Sequence, residues 1–276
     1  MVDRAPASHK APSEVHYWDD SGSKSELLRV LSSDQTHDPR PTTRAWDDVA
    51  QHSFPRNDIH NSYPTRDIIN GREIHWAIRH TQLMTPEGYL NQDHPDAILV
   101  KARQFRPNTQ DPQQRTFEHY DWLIIETAPP ARDTAEGWKD LLLQVCARMD
   151  RCDNGTHDIY IICAIGLKYM AFYWNPSNAA NPFHQPRLTV AGSDTLFPAQ
   201  LTPIPTYSPH VPNLTADDGN PDQSTTTTII DISRVWSADP GQVDERGQAT
   251  RPLMALEAFF KHTRATPLRD PFLSQR

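Results

Sequence analysis

The sequence between Pro95 and Asn175 contains five largely apolar segments: PDAILVKARQF (95–105), DWLIIETAPP (121–130), EGWKDLLLQVCARM (136–149), DIYIICAIG (158–166) and LKYMAFYWN (167–175). The third segment has apolar residues at helical spacing, which predicts an amphipathic helix over Gly137–Met149. The other four are short runs rich in β-branched and aromatic residues, which is typical of strands. The predicted order is therefore strand, strand, helix, strand, strand.

Two of these predicted strands, Asp121–Ile125 and Tyr160–Ala164, are almost continuously apolar. Strands that are buried on both faces have this composition. Because one amphipathic helix joins them, we expect neighbouring central strands with the helix packed across both. The tight turn Gly166–Lys168 then leads into an antiparallel partner, Tyr169–Trp174. The sequence thus predicts an α/β fold with a mixed central sheet flanked by helices.

The rest of the chain is predicted from weaker patterns around this core of residues 65–175. We expect residues 1–22 to be disordered or loosely docked, and residues 23–276 to form a single α/β domain. Residues 175–228 are rich in proline and are predicted to form a long irregular loop. The remaining predicted elements are helices at Ser23–Leu31 (with Ser23 as N-cap), Ala45–Gln51, Thr65–Met84 and Pro252–Arg264, an edge strand at Leu188–Val190 and a strand at Ile229–Ile232.

Composition limits the possible classes of protein. Proline makes up 25 of the 276 residues, about 9% against about 5% typically, which indicates long irregular connections. The net charge of −8 gives no general attraction to nucleic acid or to an anionic membrane. We expect an intracellular protein, cytoplasmic or nuclear, because the N-terminal residues do not resemble a secretory signal and no apolar run is long enough to span a membrane. Cys146 and Cys163 lie in apolar runs and are predicted to be buried free thiols.

Two carboxylates stand at the ends of the first two predicted strands. Asp96 begins the first strand, and Glu126 directly follows the apolar residues 123–125. We expect the strand to hold Glu126 rigidly at its exposed end, a frequent position for a reactive group. Asp96 and Glu126 are therefore predicted to form a shared acidic site.

These residues and the predicted order helix, strand, strand, helix, strand, strand resemble the PD-(D/E)XK nuclease-like superfamily, most closely its divergent members in filamentous fungi. Pro95-Asp96 corresponds to the PD element, Glu126-Thr127-Ala128 to the (D/E)-x-K element, and Gln144 to a further site residue in the next helix. The resemblance covers roughly residues 65–175. It implies that Asp96 and Glu126 hold Mg²⁺ or Mn²⁺ and that a lysine positions or activates the attacking water.

The sequence departs from that family at the lysine, because Ala128 stands in its place. Cleavage of a phosphodiester requires a metal bound by oxygen ligands and positive charge where negative charge develops. Lys139 is the candidate for a relocated lysine, Lys101 is a weaker one, and Glu73 is a further candidate acid.

Two function classes follow from this departure. The first is a degenerate, non-catalytic relative that acts in binding or interaction, and the alternative is a Mg²⁺-dependent nuclease that cleaves DNA or RNA with a relocated lysine. The net charge and Ala128 favour the first. A small-molecule enzyme that uses another pocket is a third class. The candidate partners are nucleic acid or another protein.

Overall fold

The computed structural model of this chain describes residues 16–18, 20–32, 37–54, 67–69, 72–81, 97–107, 115–149, 158–180, 185–190, 193–204, 213–216, 225–230, 232, 235–241 and 251–265. The helices of these segments are α1 (Ser21–Ser32), α2 (Arg40–Ser53), α3 (Ala135–Met149) and α4 (Arg251–Ala265). The strands are β1 (Asp67–Ile69), β2 (Arg72–Thr81), β3 (Ala97–Pro107), β4 (Arg115–Ala128), β5 (Ile159–Ile165), β6 (Lys168–Trp174), β7 (Arg187–Val190), β8 (Ser193–Leu196), β9 (Leu201–Pro203), β10 (Asn213–Ala216), β11 (Thr225–Ile230) and β12 (Trp236–Ser237).

The larger sheet has the strand order β1-β2-β3-β4-β5-β6-β12, and β9 also pairs with β6. Strands β4 and β5 are parallel, with Leu123 opposite Tyr160, whereas the other described pairs of this sheet are antiparallel. Helix α3 joins β4 to β5 because parallel neighbours need a crossover connection. The predictions of a mixed central sheet, of neighbouring strands at 121–125 and 160–164, and of an antiparallel β6 are confirmed.

Helices cover both faces of this sheet. One core cluster contains the apolar side chains of α1, α2 and α4, and the other contains those of α3. Strand β5 separates the two clusters by simple alternation, since Ile162 and Ala164 face the first while Ile161 and Cys163 face the second. Side chains of the smaller sheet, which has the order β10-β11-β7-β8, add to the α3 side through Leu188 and Ile230.

The prediction of a helix over Thr65–Met84 is wrong, because this region forms β1 and β2. Ile74, Trp76 and Ile78 alternate with more exposed residues and enter the core, so the period is two and not 3.6. Strand β3 supplies the partner for this alternation, with Trp76 opposite Ala102 and Ile78 opposite Val100. Packing on an existing sheet edge thus decided an ambiguous apolar pattern.

The single turn predicted at Ala45–Gln51 is a fourteen-residue helix, α2. Its residues Ala45, Trp46, Val49 and Ala50 are fully buried. The Trp46 indole N–H donates a hydrogen bond of 2.9 Å to the carbonyl oxygen of Gly166 in the β5–β6 turn. Helix α2 is therefore a principal element of the core.

Residues 175–228 also differ from the prediction, since they contain β7, β8, β9, β10 and part of β11. Strand β7 covers the predicted strand at Leu188–Val190, but it lies between β11 and β8 and so is not an edge. The strand predicted at Ile229–Ile232 is β11 and begins earlier, at Thr225. The predicted C-terminal helix is confirmed as α4.

Most of the segment 1–22, which was expected to be disordered or loosely docked, lies outside the described residues, but Tyr17 and Trp18 belong to the core. His16 Nδ1 lies 2.8 Å from an Oε atom of Glu257 in α4, which ties this segment to the far end of the chain. The predicted N-cap, Ser23, is also wrong, because the backbone N–H of Ser23 donates to the carboxylate of Asp20 at 2.9 Å. Asp20 therefore caps α1.

Candidate functional site

Glu126 lies on the face of β4 that α3 covers, and its side chain is 0% exposed. The prediction of an exposed strand end is wrong, since β4 continues to Ala128 and both Ile124 and Ala128 pack in the core cluster of α3. Cys163 is the partner of Glu126 in the register of β4 with β5. The carboxylate is therefore enclosed between the middle of the sheet and a helix.

Arg148 and Gln144 hold both carboxylate oxygens of Glu126. Arg148 Nε donates to Oε2 at 2.8 Å and Nη2 donates to Oε1 at 3.1 Å. Gln144 Nε2 donates to Oε1 at 2.6 Å. Arg148 follows Gln144 by four residues, so one face of α3 places both side chains against the same carboxylate. The structure thus brings together two of the predicted site residues, Glu126 and Gln144.

Arg148 was not among the predicted site residues, although the sequence contains a signal for it. The buried stripe of α3 includes Leu141, Val145 and Met149, and position 148 lies seven residues after Leu141 on the same side. A charged residue at such a position needs a buried partner. Glu126 supplies that partner across the helix–sheet interface.

Cys146 and Cys163 are buried and are not in a disulfide bond, as predicted. Burial raises the pKa of the Cys163 thiol well above its usual value, and the negative charge of Glu126 raises it further. A thiol with a raised pKa stays protonated and is a poor nucleophile or metal ligand. Cys163 therefore acts as a small packing residue, and Cys152 lies outside the described residues.

Lys139 lies on α3 in a separate cluster from Glu126. Its Nζ donates a hydrogen bond of 2.9 Å to Glu136 Oε1, and this hydrogen bond is the main cause that raises the pKa of Lys139. The other candidate lysine, Lys101, forms an ion pair of 2.7 Å with Asp121 across β3 and β4. The contacts described for these ammonium groups thus go to carboxylates other than Glu126.

Two further candidate acids are placed differently from the prediction or are not placed. Asp96 lies outside the described residues. Glu73 lies in strand β2 and not in a helix, which corrects the position from which it was expected to act. The predicted pairing of Asp96 with Glu126 therefore stays a prediction.

Glu126 does not fit the role of a Mg²⁺ ligand in this arrangement. Mg²⁺ binds oxygen atoms in an octahedral shell and usually retains several waters. Both oxygens of Glu126 accept hydrogen bonds from Arg148 or Gln144, and the side chain is fully buried. Among the residues that the structure describes, no group of three or more His, Cys, Asp and Glu side chains is arranged to hold a metal ion.

A second concentration of charge lies where α1 and α2 meet. Partial burial raises the pKa of Asp48, and the nearby carboxylates of Asp47, Glu26 and Asp20 raise it further. His80 of β2 approaches this group, with Nε2 at 3.4 Å from Asp47 Oδ1. Four carboxyl groups therefore lie close together at this junction, where Arg29 also lies 3.7 Å from Glu26.

Comparison of the chain with protein-family models, with curated proteins and with solved structures found no match. The helices in the described segments are too short or too polar for any of them to cross a membrane.

Proposed function

We propose that this chain is a PD-(D/E)XK-like α/β protein that acts as a binding or interaction module and has lost nuclease activity. The observation that carries this proposal is the burial of Glu126, whose two carboxylate oxygens are held by Arg148 and Gln144. A catalytic acid of a nuclease must reach a metal ion and, through it, the phosphate. The carboxylate of Glu126 instead accepts hydrogen bonds from Gln144 and Arg148 of α3.

The topology around Glu126 supports the proposed family relationship. Strand β3 follows Pro95-Asp96 in sequence, and Ile98 near its start pairs with Ile125 near the end of β4. The (D/E)-x-K position thus lies near the C-terminal end of β4, beside the start of β3. Helix α3 and the parallel strand β5 follow in the expected order, whereas β1 and β2 stand in place of the helix that was expected before β3.

The missing lysine supports the loss of catalysis. Ala128 stands at that position, is 3% exposed and packs among the side chains that α3 covers. Positive charge placed where the transition state becomes negative contributes a large part of catalysis in such reactions. Lys139, the proposed replacement, is paired with Glu136.

Charge favours a protein as the partner over a nucleic acid. The chain has a net charge of −8, and the carboxyl groups of Asp20, Glu26, Asp47 and Asp48 lie close together where α1 and α2 meet. Binding to nucleic acid depends on Lys and Arg side chains that neutralise phosphates. We therefore place nucleic acid second to protein as the class of partner.

A cleavage and binding assay with labelled single- and double-stranded DNA and RNA tests this proposal. With millimolar MgCl₂ or MnCl₂ we expect no cleavage above that of a sample with chelator, and no rise in fluorescence anisotropy at low salt. The matched control is the double variant Glu126→Gln/Arg148→Met, which removes both buried charges together. Metal-dependent cleavage by the wild-type chain that disappears in this double variant would refute the loss of catalysis.

A further inference from the structure

The buried pair of Glu126 and Arg148 has an exposed counterpart with the same geometry elsewhere in the chain. Arg40 contacts both carboxylate oxygens of Asp38 at 2.9 to 3.1 Å through Nε and Nη2. The side chains of Arg40 and Asp38 are 80% and 37% exposed, whereas those of Arg148 and Glu126 are 9% and 0% exposed. The two pairs therefore differ in their contact with water and in sequence separation, which is 2 residues for Asp38 and Arg40 and 22 for Glu126 and Arg148.

Burial changes what such a pair does. In water the two charges are solvated separately, so an exposed pair contributes little to stability. Inside the protein each charge depends on the other, because removing one partner leaves an uncompensated buried charge. An ionised Glu126 therefore depends on a positive partner at this position.

Helix α3 places a guanidinium at this position by several independent means. Arg148 lies in the last turn of the helix, where the helix dipole favours a cation. The planar guanidinium of Arg148 donates two hydrogen bonds, one to each carboxylate oxygen of Glu126. A lysine ammonium or a metal ion is a point charge and does not have this paired geometry. Gln144, one turn earlier, completes the hydrogen bonding of Oε1.

We propose that Arg148 is the permanent internal cation of this site, which takes the place that a divalent metal ion would hold beside Glu126 and fastens α3 to the central sheet. This inference deepens the proposed function and rests on its interpretation of Glu126. Arg148 is a positioning residue here, because it acts by holding Glu126 and α3 together. The carboxylate of Glu126 is consequently closed to Mg²⁺ and Mn²⁺.

A double-mutant cycle measured by thermal unfolding tests the proposal without nucleic acid. For the buried pair the variants are Glu126→Gln, Arg148→Met and both together, and for the exposed pair they are Asp38→Asn, Arg40→Met and both together. We expect Arg148→Met to lower Tm by about 10 °C, and Arg40→Met to lower it by about 2 °C or less. We expect the double variant of the buried pair to recover at least half of the loss seen with Arg148→Met, since it leaves no unpaired charge.

The cycle remains decisive where Arg148→Met does not fold, since a folded double variant then supports the proposal directly. A double variant that is no more stable than Arg148→Met would overturn it, because packing and not charge would then explain the loss. A loss for Arg148→Met no larger than that for Arg40→Met would overturn it as well.

The effect of divalent metal ions on Tm tests whether Glu126 is closed to them. Since a ligand that binds the folded state raises Tm, we expect millimolar MgCl₂ or MnCl₂ to leave the Tm of the wild-type chain unchanged relative to a chelator. A rise that is present in the wild-type chain and absent from the Glu126→Gln/Arg148→Met variant would contradict the proposal. Because cleavage plays no part in these measurements, their failure is distinguishable from failure of the proposed function.

Discussion

Gly137 lies in the first turn of α3, where its missing side chain allows a close approach between the helix and the turn before it. A Cβ atom at this position would lie 1.9 Å from the carbonyl oxygen of Arg132. That oxygen is held in place because it accepts a hydrogen bond of 2.7 Å from the backbone N–H of Thr134. Cβ atoms essentially never lie within 3.0 Å of a heavy atom outside their own residue and its chain neighbours. Gly137→Ala must therefore separate the two segments by about 1.1 Å, the difference between 3.0 and 1.9.

The size of the effect follows from two opposing contributions at Gly137. Replacing Gly with Ala inside a helix ordinarily stabilises the protein by about 1 kcal/mol. Overpacking costs about 1–3 kcal/mol, and more where backbone has to move. Because the obstacle here is hydrogen-bonded backbone, we expect overpacking to dominate, with a net loss of about 2 kcal/mol in the free energy of unfolding. In a chain of this size that corresponds to a fall of about 4–8 °C in Tm.

Gly22, in the first turn of α1, provides the matched control. A Cβ atom there would lie 3.2 Å from Asp20 Oδ2, so this side chain needs to move by only a few tenths of an ångström, which is compatible with keeping its hydrogen bond from Ser23. We expect Gly22→Ala to remain within about 1 kcal/mol of the wild-type chain. Both variants are measured by urea and thermal unfolding, followed by circular dichroism. A Gly137→Ala variant as stable as the wild-type chain would show that the first turn of α3 does not pack against the Arg132 carbonyl. The positions described for Gln144 and Arg148 on the same helix would then also be in question.

Three further substitutions test the packing around the core. Tyr17→Phe should leave the free energy of unfolding unchanged or raise it by up to about 1 kcal/mol, because the buried hydroxyl has no hydrogen-bond partner among the described residues; a clear loss in urea unfolding would reveal a partner. Trp46→Phe should cost about 1–3 kcal/mol, since it leaves the buried carbonyl oxygen of Gly166 unpaired, and equal stability would contradict that contact. Asp20→Ala should cost about 1 kcal/mol at neutral pH. The hydrogen bond from Ser23 lowers the pKa of Asp20 below 3.8. The difference in free energy of unfolding between the wild-type chain and Asp20→Ala should therefore be complete above pH 3.8 and disappear as the pH falls through the lowered pKa. A difference that persists in stronger acid would refute the capping role.

The central part of the fold was predictable because its signals are local. Helix α3 and strands β4, β5 and β6 each have an apolar pattern that fits one period, and short connections join them. Residues Thr65–Met84 lacked such a pattern, since their isoleucines suit a helical stripe nearly as well as an alternating strand. These residues form a strand because they pair with β3, and the sequence pattern of the segment does not show that this partner is available.

Contacts between distant parts of the chain were decided by the tertiary structure alone. The sequence by itself determined that a carboxylate ends an apolar run at Glu126 and that Gln144 lies on the following helix. It did not determine that Glu126 is buried, because the burial of a charge depends on a partner, and Arg148 follows twenty-two residues later. His16 meets Glu257 across 241 residues for the same reason. The periodicity of a sequence indicates which face of a helix or strand is apolar. Which charged side chains meet at that face depends on how the elements pack in the tertiary structure.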